Sequence, residues 1–465
     1  MQKREDLTIA YIGGGSRGWA WGFMKDLAMD DALQGVVRLY DIDQDAARKN
    51  QRIGAMIAAH PEAKSAWAYE VAESIQAALT GADFVVISVL PGTFEEMASD
   101  VHLPERYGIY QSVGDTVGPG GFVRALRTIP MYVGIAEAIR DYAPKAWVIN
   151  YTNPMTVCMR TLYEVFPQIR AFGCCHEVFS TQKLLAAMLE DIEGITGLQR
   201  TEIKTGVTGI NHFTWLYNAS YQGTDLFPLY RAFADKYYEK GFTKGKADNW
   251  MNDFFQCSHR VKFDLFRRYG LIAAAGDRHL AEFMPPWYLK SPETARSWGF
   301  GLTTVWWRKE ELARRLKKQD DLLSGAEAIA MDGSGEEGHL LMKSLLGLGD
   351  MVSNVNIPNQ GQIAGLPMGA VVETNALFRR DEIAPLLAGR LPPGIDALVG
   401  RHVAAQESTV KAAMTYDFGL ALAVFLNDPQ LSAVSPADGE KLLRQMIFHT
   451  KAYLPKAWHA EAMAE

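Results

Sequence analysis

The 465-residue chain has only four cysteines, Cys158, Cys174, Cys175 and Cys257, and no two form a C-x-x-C pair. This excludes a disulfide framework and a paired-cysteine zinc site, leaving reduced thiols as the expectation. No run of 18 apolar residues occurs, so no membrane partner is expected. Met1 to Asp6 is polar and runs directly into an apolar strand, unlike a signal peptide, which makes the cytoplasm the expected location. Basic runs are missing too, and the formal net charge is −7. Proteins that hold nucleic acid neutralise its phosphates with clustered Lys and Arg, so no nucleic acid is expected either. A small molecule is the expected partner.

Apolar residues make up 48% of the chain, enough for more than one core at this length. Up to about residue 190, short apolar runs alternate with segments of helical length. Strands are expected at Leu7–Ile12, Val36–Tyr40, Trp67–Val71, Phe84–Val89, Trp147–Asn150 and Ile169–Gly173. Helices are expected at Asp43–Ala59, with Asp43 as N-cap, and at Gly120–Tyr142. This is the pattern of a doubly wound, Rossmann-like parallel sheet. Beyond it, Ile203–Thr208 and Thr214–Ser220 read as strands of an antiparallel sheet, so a C-terminal α+β domain is expected from a boundary near residue 195, giving 1–195 and 196–465. Gly241–Asn249 and Ile357–Pro367 read as loops.

Gly13, Gly15 and Gly18 form G-x-G-x-x-G, with Ser16 between them, directly after the first strand and at the start of a helix. That context suits a dinucleotide: the glycines allow a tight turn, close approach to a pyrophosphate and helix–strand packing, and the helix N-terminus attracts the phosphates. Asp41, ending the second strand, is placed to accept from ribose hydroxyls and to repel a 2′-phosphate, which favours NAD over NADP. Cys175 and His176 follow the strand Ile169–Gly173, at the carboxyl end of the parallel sheet where such folds bind ligands. With His212 they offer thiolate and imidazole to a divalent transition ion; by spacing alone, an inert buried cysteine and a hydrogen-bonded histidine fit equally well.

These residues lie within Tyr11–Trp19, His102–Gly121, Asn150–Met155, Gly173–Glu177, Gly209–Trp215 and Ala275–Glu282. Over nearly its whole length the chain resembles glycoside hydrolase family 4, the NAD- and Mn²⁺-dependent glycosidases, and within it the α-galacturonidase branch. The resemblance implies a lactate/malate dehydrogenase-like first domain and hydrolysis of a uronide. It implies metal binding by Cys175 and His212, and substrate contacts from Asn153 and His176. Asp115 matches the family's acid and Asp277 its base in α-specific members. The role of Glu177, where many relatives have serine, is left open, and a homo-oligomer is implied.

The implied chemistry unites the two motifs. A pyranoside C2 proton becomes removable once C3 is oxidised, so NAD⁺ and a Lewis acid permit elimination of the glycosidic oxygen, addition of water and re-reduction. For a uronate carboxylate, Arg278, His279, Arg127 and the amides of Asn356–Gln362 are candidate partners, while Arg124 and Arg127 read equally as surface cover. Ser334-Gly335-Glu336-Glu337 reads as a capped helix start and Trp306-Trp307 as packing. Alternatives are another α-glycosidase specificity of the family, an NAD-dependent sugar or hydroxy-acid dehydrogenase that would accumulate NADH, and an inactive NAD-sensing or scaffold protein that would not need Cys175, His212 and Asp277.

Overall fold

The computed structural model describes residues 4–243 and 257–463; most of the loop expected at Gly241–Asn249 lies outside them. Strands β1 (Arg4–Ile12), β2 (Leu33–Tyr40), β3 (Trp67–Val71), β4 (Phe84–Ile87), β5 (Trp147–Asn150) and β6 (Arg170–Gly173) run parallel, in the order β3-β2-β1-β4-β5-β6. Their apolar runs are nearly continuous because both faces are covered. Leu7, Ile9 and Tyr11 pack with the helices Trp19–Met29 and Gln44–Ala58, whereas Ala10 and Ile12 pack with Gly118–Tyr142 and Met155–Val165. Asp43 caps the second of these helices, accepting from the Ala46 N–H at 3.0 Å. The strand order reverses between β1 and β4, and that switch opens a crevice at their carboxyl ends.

After residue 195 the chain forms a second, antiparallel sheet. It comprises β7 (Lys204–Ile210), β8 (Phe213–Tyr221), β9 (Thr224–Asp225) and β10 (Ile272–Ala273). The chain then returns to the first sheet. β11 (Met351–Pro358) lies antiparallel to β6 with Asn356 opposite Gly173, β12 (Ile363–Ala364) pairs elsewhere, and β13 (Val371–Arg379) and β14 (Glu382–Pro385) extend the sheet to nine strands. Consequently the segment expected as a loop from Ile357 begins later, because Ile357 and Pro358 complete β11 opposite Val372 and Val371.

This return places β11 and β13 beside the end of β6, where the Cys174-Cys175-His176 turn begins. A helical layer made by Pro393–Thr415, Phe418–Leu426 and Pro436–Thr450 supports Gly118–Tyr142 from behind, with Val410, Ala413, Leu442 and Met446 against Val123 and Leu126. No described helix is long and apolar enough to cross a membrane.

Candidate active site

A cavity of about 930 Å³ opens at the β1/β4 switch point and runs from the glycine loop to the second sheet. Gly13, Gly15, Ser16 and Asp41 line one end, and Asp115, Asn153, Cys175, His176, Glu177, His212, Arg278 and His279 line the other. Eleven of the thirteen site residues proposed from the sequence thus share one cavity. Gly18 stands just behind the loop, against Arg315. Asp277 faces elsewhere.

At the glycine end, Gly13 adopts φ 93°, and a side chain there would strike the Ser88 carbonyl. The Asp41 carboxylate accepts from the Gly15 N–H at 2.8 Å and the Asp43 N–H at 2.9 Å, which fixes it at the end of β2. Ile42, 92% exposed, sits beside it on the cavity wall as an apolar surface for a flat ring. These features fit a dinucleotide.

At the other end, Thr116 links two candidate reactive groups. Its hydroxyl donates to Asp115 Oδ1 at 2.7 Å, so its 3.1 Å contact with His212 requires Nδ1 of the imidazole to be the donor. His212 Nε2 is then left with a lone pair. Burial pushes the His212 pKa down to about 3, so the ring is neutral at neutral pH, the form that ligates metals. Burial would raise the Asp115 carboxyl, but the Arg124 guanidinium facing it, helped by the Thr116 hydroxyl, more than offsets this and holds the pKa at about 2. Donor atoms of Asp115, His212 and His279 lie within 4.8 Å of one another, and Cys175 lines the same wall.

Two buried atoms in this wall, Asn153 Oδ1 and His279 Nδ1, have no hydrogen-bond partner among the described residues. Buried polar atoms are normally satisfied, so this is where a metal ion or a sugar hydroxyl fits. Burial, reinforced by Glu373 and Glu177, pushes the Cys175 thiol well above its ordinary pKa; it would ligate a metal by losing its proton.

The loop carrying Asp115 is fastened by the segment Ala275–Glu282. Glu282 Oε1 accepts from the Val113 and Gly114 N–H groups at 2.7 and 2.9 Å, and Arg278 Nη2 donates to the Ser112 carbonyl at 2.5 Å. Glu177 accepts from the Gly276 N–H at 2.7 Å and stands 3.9 Å from His279, which gives it a bracing position. Asp277 heads the helix Arg260–Tyr269, accepting from the Val261 and Lys262 N–H groups at 3.3 and 3.2 Å beside buried Lys262.

Several sequence expectations need correction. Arg127 is buried and forks onto Asp100 at 3.0 and 2.5 Å, and is not available to a substrate. Arg124 is buried as well and lines the cavity, donating to the Asn153 carbonyl at 3.1 Å. The amides of Asn356, Asn359 and Gln362 are spent on backbone carbonyls. Ser334 caps no helix: its hydroxyl donates to Asp26, and the helix starts at Gly338. Glu336 instead holds His176 Nδ1 at 2.8 Å. Trp307 packs in the interior as expected, whereas Trp306 is exposed.

Models of the family 4 glycosyl hydrolases match residues 8–191, and those of the family's C-terminal domain match residues 207–431. The chain belongs to this family. It is 60% identical over 461 residues to an α-galacturonidase of Thermoanaerobacterium saccharolyticum, with 99% of each chain covered. A crystal structure of a Bacillus subtilis protein, 50% identical, superposes with a TM-score of 0.91 over 95% of this chain and all of that one. The 6-phospho-β-glucosidase of Thermotoga maritima, solved with manganese, NAD⁺ and glucose-6-phosphate, shares the fold at 18% identity, with a TM-score of 0.76 over 96% and 99% of the two chains.

Within this family 4 hydrolase, sequence reasoning missed Glu282, Glu336, Glu373 and Arg308. Glu373 accepts from Asn211 at 3.0 Å and Asn354 at 2.8 Å beneath Cys175. One signal for it was legible: Asn354 and Asn356 alternate in an apolar strand, so they share a face. Glu282 ends the Ala275–Glu282 segment, and no spacing in the sequence marks it as a clamp.

Proposed function

We propose that this chain is an α-galacturonidase, which hydrolyses α-linked galacturonides with NAD⁺ and a divalent metal, Mn²⁺ by preference. The observation that carries the reading is the single cavity joining the glycine loop and Asp41 to the Asp115, His212 and His279 donors. The α-galacturonidase relative supports the substrate, and the Thermotoga maritima relative supports the two cofactors. When bound, NAD⁺ would supply a hydride acceptor and the metal a Lewis acid for the sugar's oxygens.

The chain's residues do the rest. Gly13, Gly15, Ser16 and Gly18 cradle the dinucleotide, and Asp41 binds its ribose. His212 and Cys175 hold the metal, with His279 beside them, and Asn153 and His176 contact the sugar. Asp115, ionised in this arrangement, takes up a proton from a substrate hydroxyl and passes it to the leaving glycosidic oxygen. Asp277, raised by burial to about 6, keeps the role of C2 base, which requires the Gly276 turn to bring its carboxylate round to the cavity. Residues 1–195 carry the cofactor and 196–465 complete the sugar and metal end.

A cytoplasmic location is proposed with this reading, consistent with the free cysteines, together with a homo-oligomeric assembly that light scattering tests. The decisive assay supplies an aryl α-galacturonide with NAD⁺ and Mn²⁺ under reducing conditions. Release of galacturonate without accumulation of NADH is expected. Stoichiometric NADH would identify a dehydrogenase instead.

A further inference from the structure

Four polar side chains form a patch on the strands that the chain adds to the first sheet last. Asn356 of β11 stands opposite Glu373 of β13, and Asn354 stands opposite Asn375. Residues directly opposite in a ladder share a face, as do alternate residues of one strand, so all four project to the same side. Asn354, Asn356 and Glu373 are buried and Asn375 is half-buried. A carboxyl group removed from water needs hydrogen bonds, and amides supply them here. Glu373 Oε2 accepts from Asn211 Nδ2 at 3.0 Å and Oε1 accepts from Asn354 Nδ2 at 2.8 Å. The Asn356 amide bears on Glu373 too, whereas the Glu177 carboxylate adds charge of the same sign.

Each of these amides leads to one of the two metal ligands. Asn211 immediately precedes His212, and its amide also reaches the Cys175 sulfur. Asn354 Nδ2 approaches the Cys175 carbonyl at 3.5 Å, and Asn356 Nδ2 donates to the Gly173 carbonyl at 3.4 Å, at the end of the strand that delivers Cys175. Asn375 accepts from the Val207 N–H at 2.7 Å, on β7, the strand that runs into Asn211 and His212. Glu373 therefore sits where the turn after β6 meets the turn after β7. With both its oxygens accepting, each asparagine has to offer it the NH₂ end. For Asn211 this leaves the second N–H to the Cys175 sulfur; the reversed amide would set an oxygen against it.

We propose that Glu373 is a positioning residue for the divalent metal, orienting the Asn211 and Asn354 amides so that Cys175 and His212 are held ready at one point. This rests on the reading of Cys175 and His212 as metal ligands given above. Glutamine at this position has the same shape but a single oxygen, so its NH₂ end confronts one of the two amides. Either Asn211 or Asn354 must then turn over, and each carries a contact to Cys175. The hydrogen-bond partners that orient metal ligands are commonly worth about 10- to 100-fold in metal affinity.

The test is metal binding by the full chain. Mn²⁺ is titrated by the electron paramagnetic resonance of the free ion, and Co²⁺ serves as a second probe whose thiolate charge-transfer absorption reports the bond to Cys175. Glu373→Gln should weaken Mn²⁺ by about 10- to 100-fold and shift or weaken the Co²⁺ absorption, while NAD⁺ affinity changes by less than about twofold. Asn354→Ala, which removes one of the amides, should weaken Mn²⁺ in the same direction by less. Unchanged Mn²⁺ affinity and Co²⁺ absorption in folded Glu373→Gln would overturn the proposal, and so would a parallel loss of NAD⁺ and Mn²⁺ affinity, which marks a residue that serves the fold alone. Should Glu373→Gln fail to fold, Asn354→Ala decides: a weaker Mn²⁺ site with wild-type NAD⁺ affinity supports the proposal, and an unaltered one overturns it. If Mn²⁺ binding weakens as expected but the wild type hydrolyses no galacturonide, this inference stands and the glycosidase reading fails. If the wild type hydrolyses the galacturonide and Glu373→Gln binds Mn²⁺ equally well, this inference alone fails. A wild-type Co²⁺ complex without thiolate absorption would overturn both the Cys175 assignment and the role of Glu373.

Discussion

His279 lies almost face to face with His212, their ring centroids 4.0 Å apart and their planes tilted by 32°. Two protonated imidazoles would repel at this distance, and both rings are instead driven toward the neutral form by burial, reinforced at His212 by His279 and at His279 by Arg278. Two neutral rings offer lone pairs to the same point. His279→Ala is therefore expected to weaken Mn²⁺ binding by 10- to 100-fold, the range found when a metal's immediate surroundings are altered. Titration followed by the electron paramagnetic resonance of free Mn²⁺ reads this directly. An affinity unchanged in His279→Ala but lost in His212→Ala would confine His279 to the sugar.

Asp41 gives a separate test of the cofactor end. Its carboxylate is anchored by the Gly15 and Asp43 N–H groups, and a methyl group at residue 15 would lie 2.9 Å from Asp41 Oδ2. Gly15→Ala should push the carboxylate off its seat and lower NAD⁺ affinity by about tenfold or more, roughly the loss of one charge-assisted hydrogen bond. Asp41→Ala should do the same and also reduce the preference for NAD⁺ over NADP⁺, because the repulsion of a 2′-phosphate disappears. Quenching of protein fluorescence by each dinucleotide measures both effects.

Glu282 sets a pH dependence of known sign. Burial raises its pKa to about 8, far above the unfolded value, so the native state binds a proton that the unfolded chain has already released at neutral pH. The stability that this provides is complete below about pH 4 and declines as pH rises toward 8, at up to about 1.4 kcal/mol per pH unit. Glu282→Gln keeps an oxygen for the Val113 and Gly114 N–H groups but cannot ionise. Its melting temperature should therefore fall less than that of the wild type between pH 5 and pH 8. Parallel curves would show that Glu282 does not titrate in this window.

These contrasts also mark what the sequence could reveal. Gly13 to Gly18, Asp41, Asn153, Cys175 and His212 sit next to strand ends, and the parallel order carries such neighbours to one crevice by a local rule. Arg308, Glu336 and Glu373 arrive from more than 100 residues away, on a helix, on a helix lead-in and on a strand added to the far edge of the first sheet. No local periodicity encodes that return. Ser334-Gly335-Glu336-Glu337 shows the cost: the capping pattern is sound chemistry, but Asp26 takes the Ser334 hydroxyl and His176 takes Glu336. Arg127 failed in the same way, because the buried Asp100 that claims it carries no mark in the sequence.

Asp277 has two separable contributions. Its carboxylate accepts from two N–H groups at the head of the helix Arg260–Tyr269 and stands beside buried Lys262. Asp277→Asn should cost about 1–3 kcal/mol of stability, since a buried cation loses its counter-charge and a cap is weakened. If the carboxylate also reaches the sugar during turnover, kcat per folded molecule should fall at least 100-fold, and C2 hydrogen exchange should fall with it. Exchange that persists at the wild-type rate in correctly folded Asp277→Asn would assign the base elsewhere in the cavity.

For Asp115 the leaving group is the discriminating variable. The carboxylate is fixed by the Thr116 hydroxyl at 2.7 Å and kept ionised by Arg124, so Asp115→Asn should cost about 1–3 kcal/mol of stability, because buried Arg124 loses a counter-charge, as well as removing a proton carrier; kcat is therefore compared per folded molecule. A proton delivered to the glycosidic oxygen matters most when the departing alcohol is a poor leaving group. With an alkyl galacturonide or digalacturonate, kcat should drop by about 10²- to 10⁴-fold, the usual contribution of a positioned acid or base. With a nitrophenyl galacturonide, whose phenolate leaves unaided, the drop should be much smaller. If Asp115 serves instead to hold the metal, both substrates should lose activity equally and added Mn²⁺ should restore part of it. The ratio of the two losses, measured with and without excess metal, therefore separates proton transfer from metal binding.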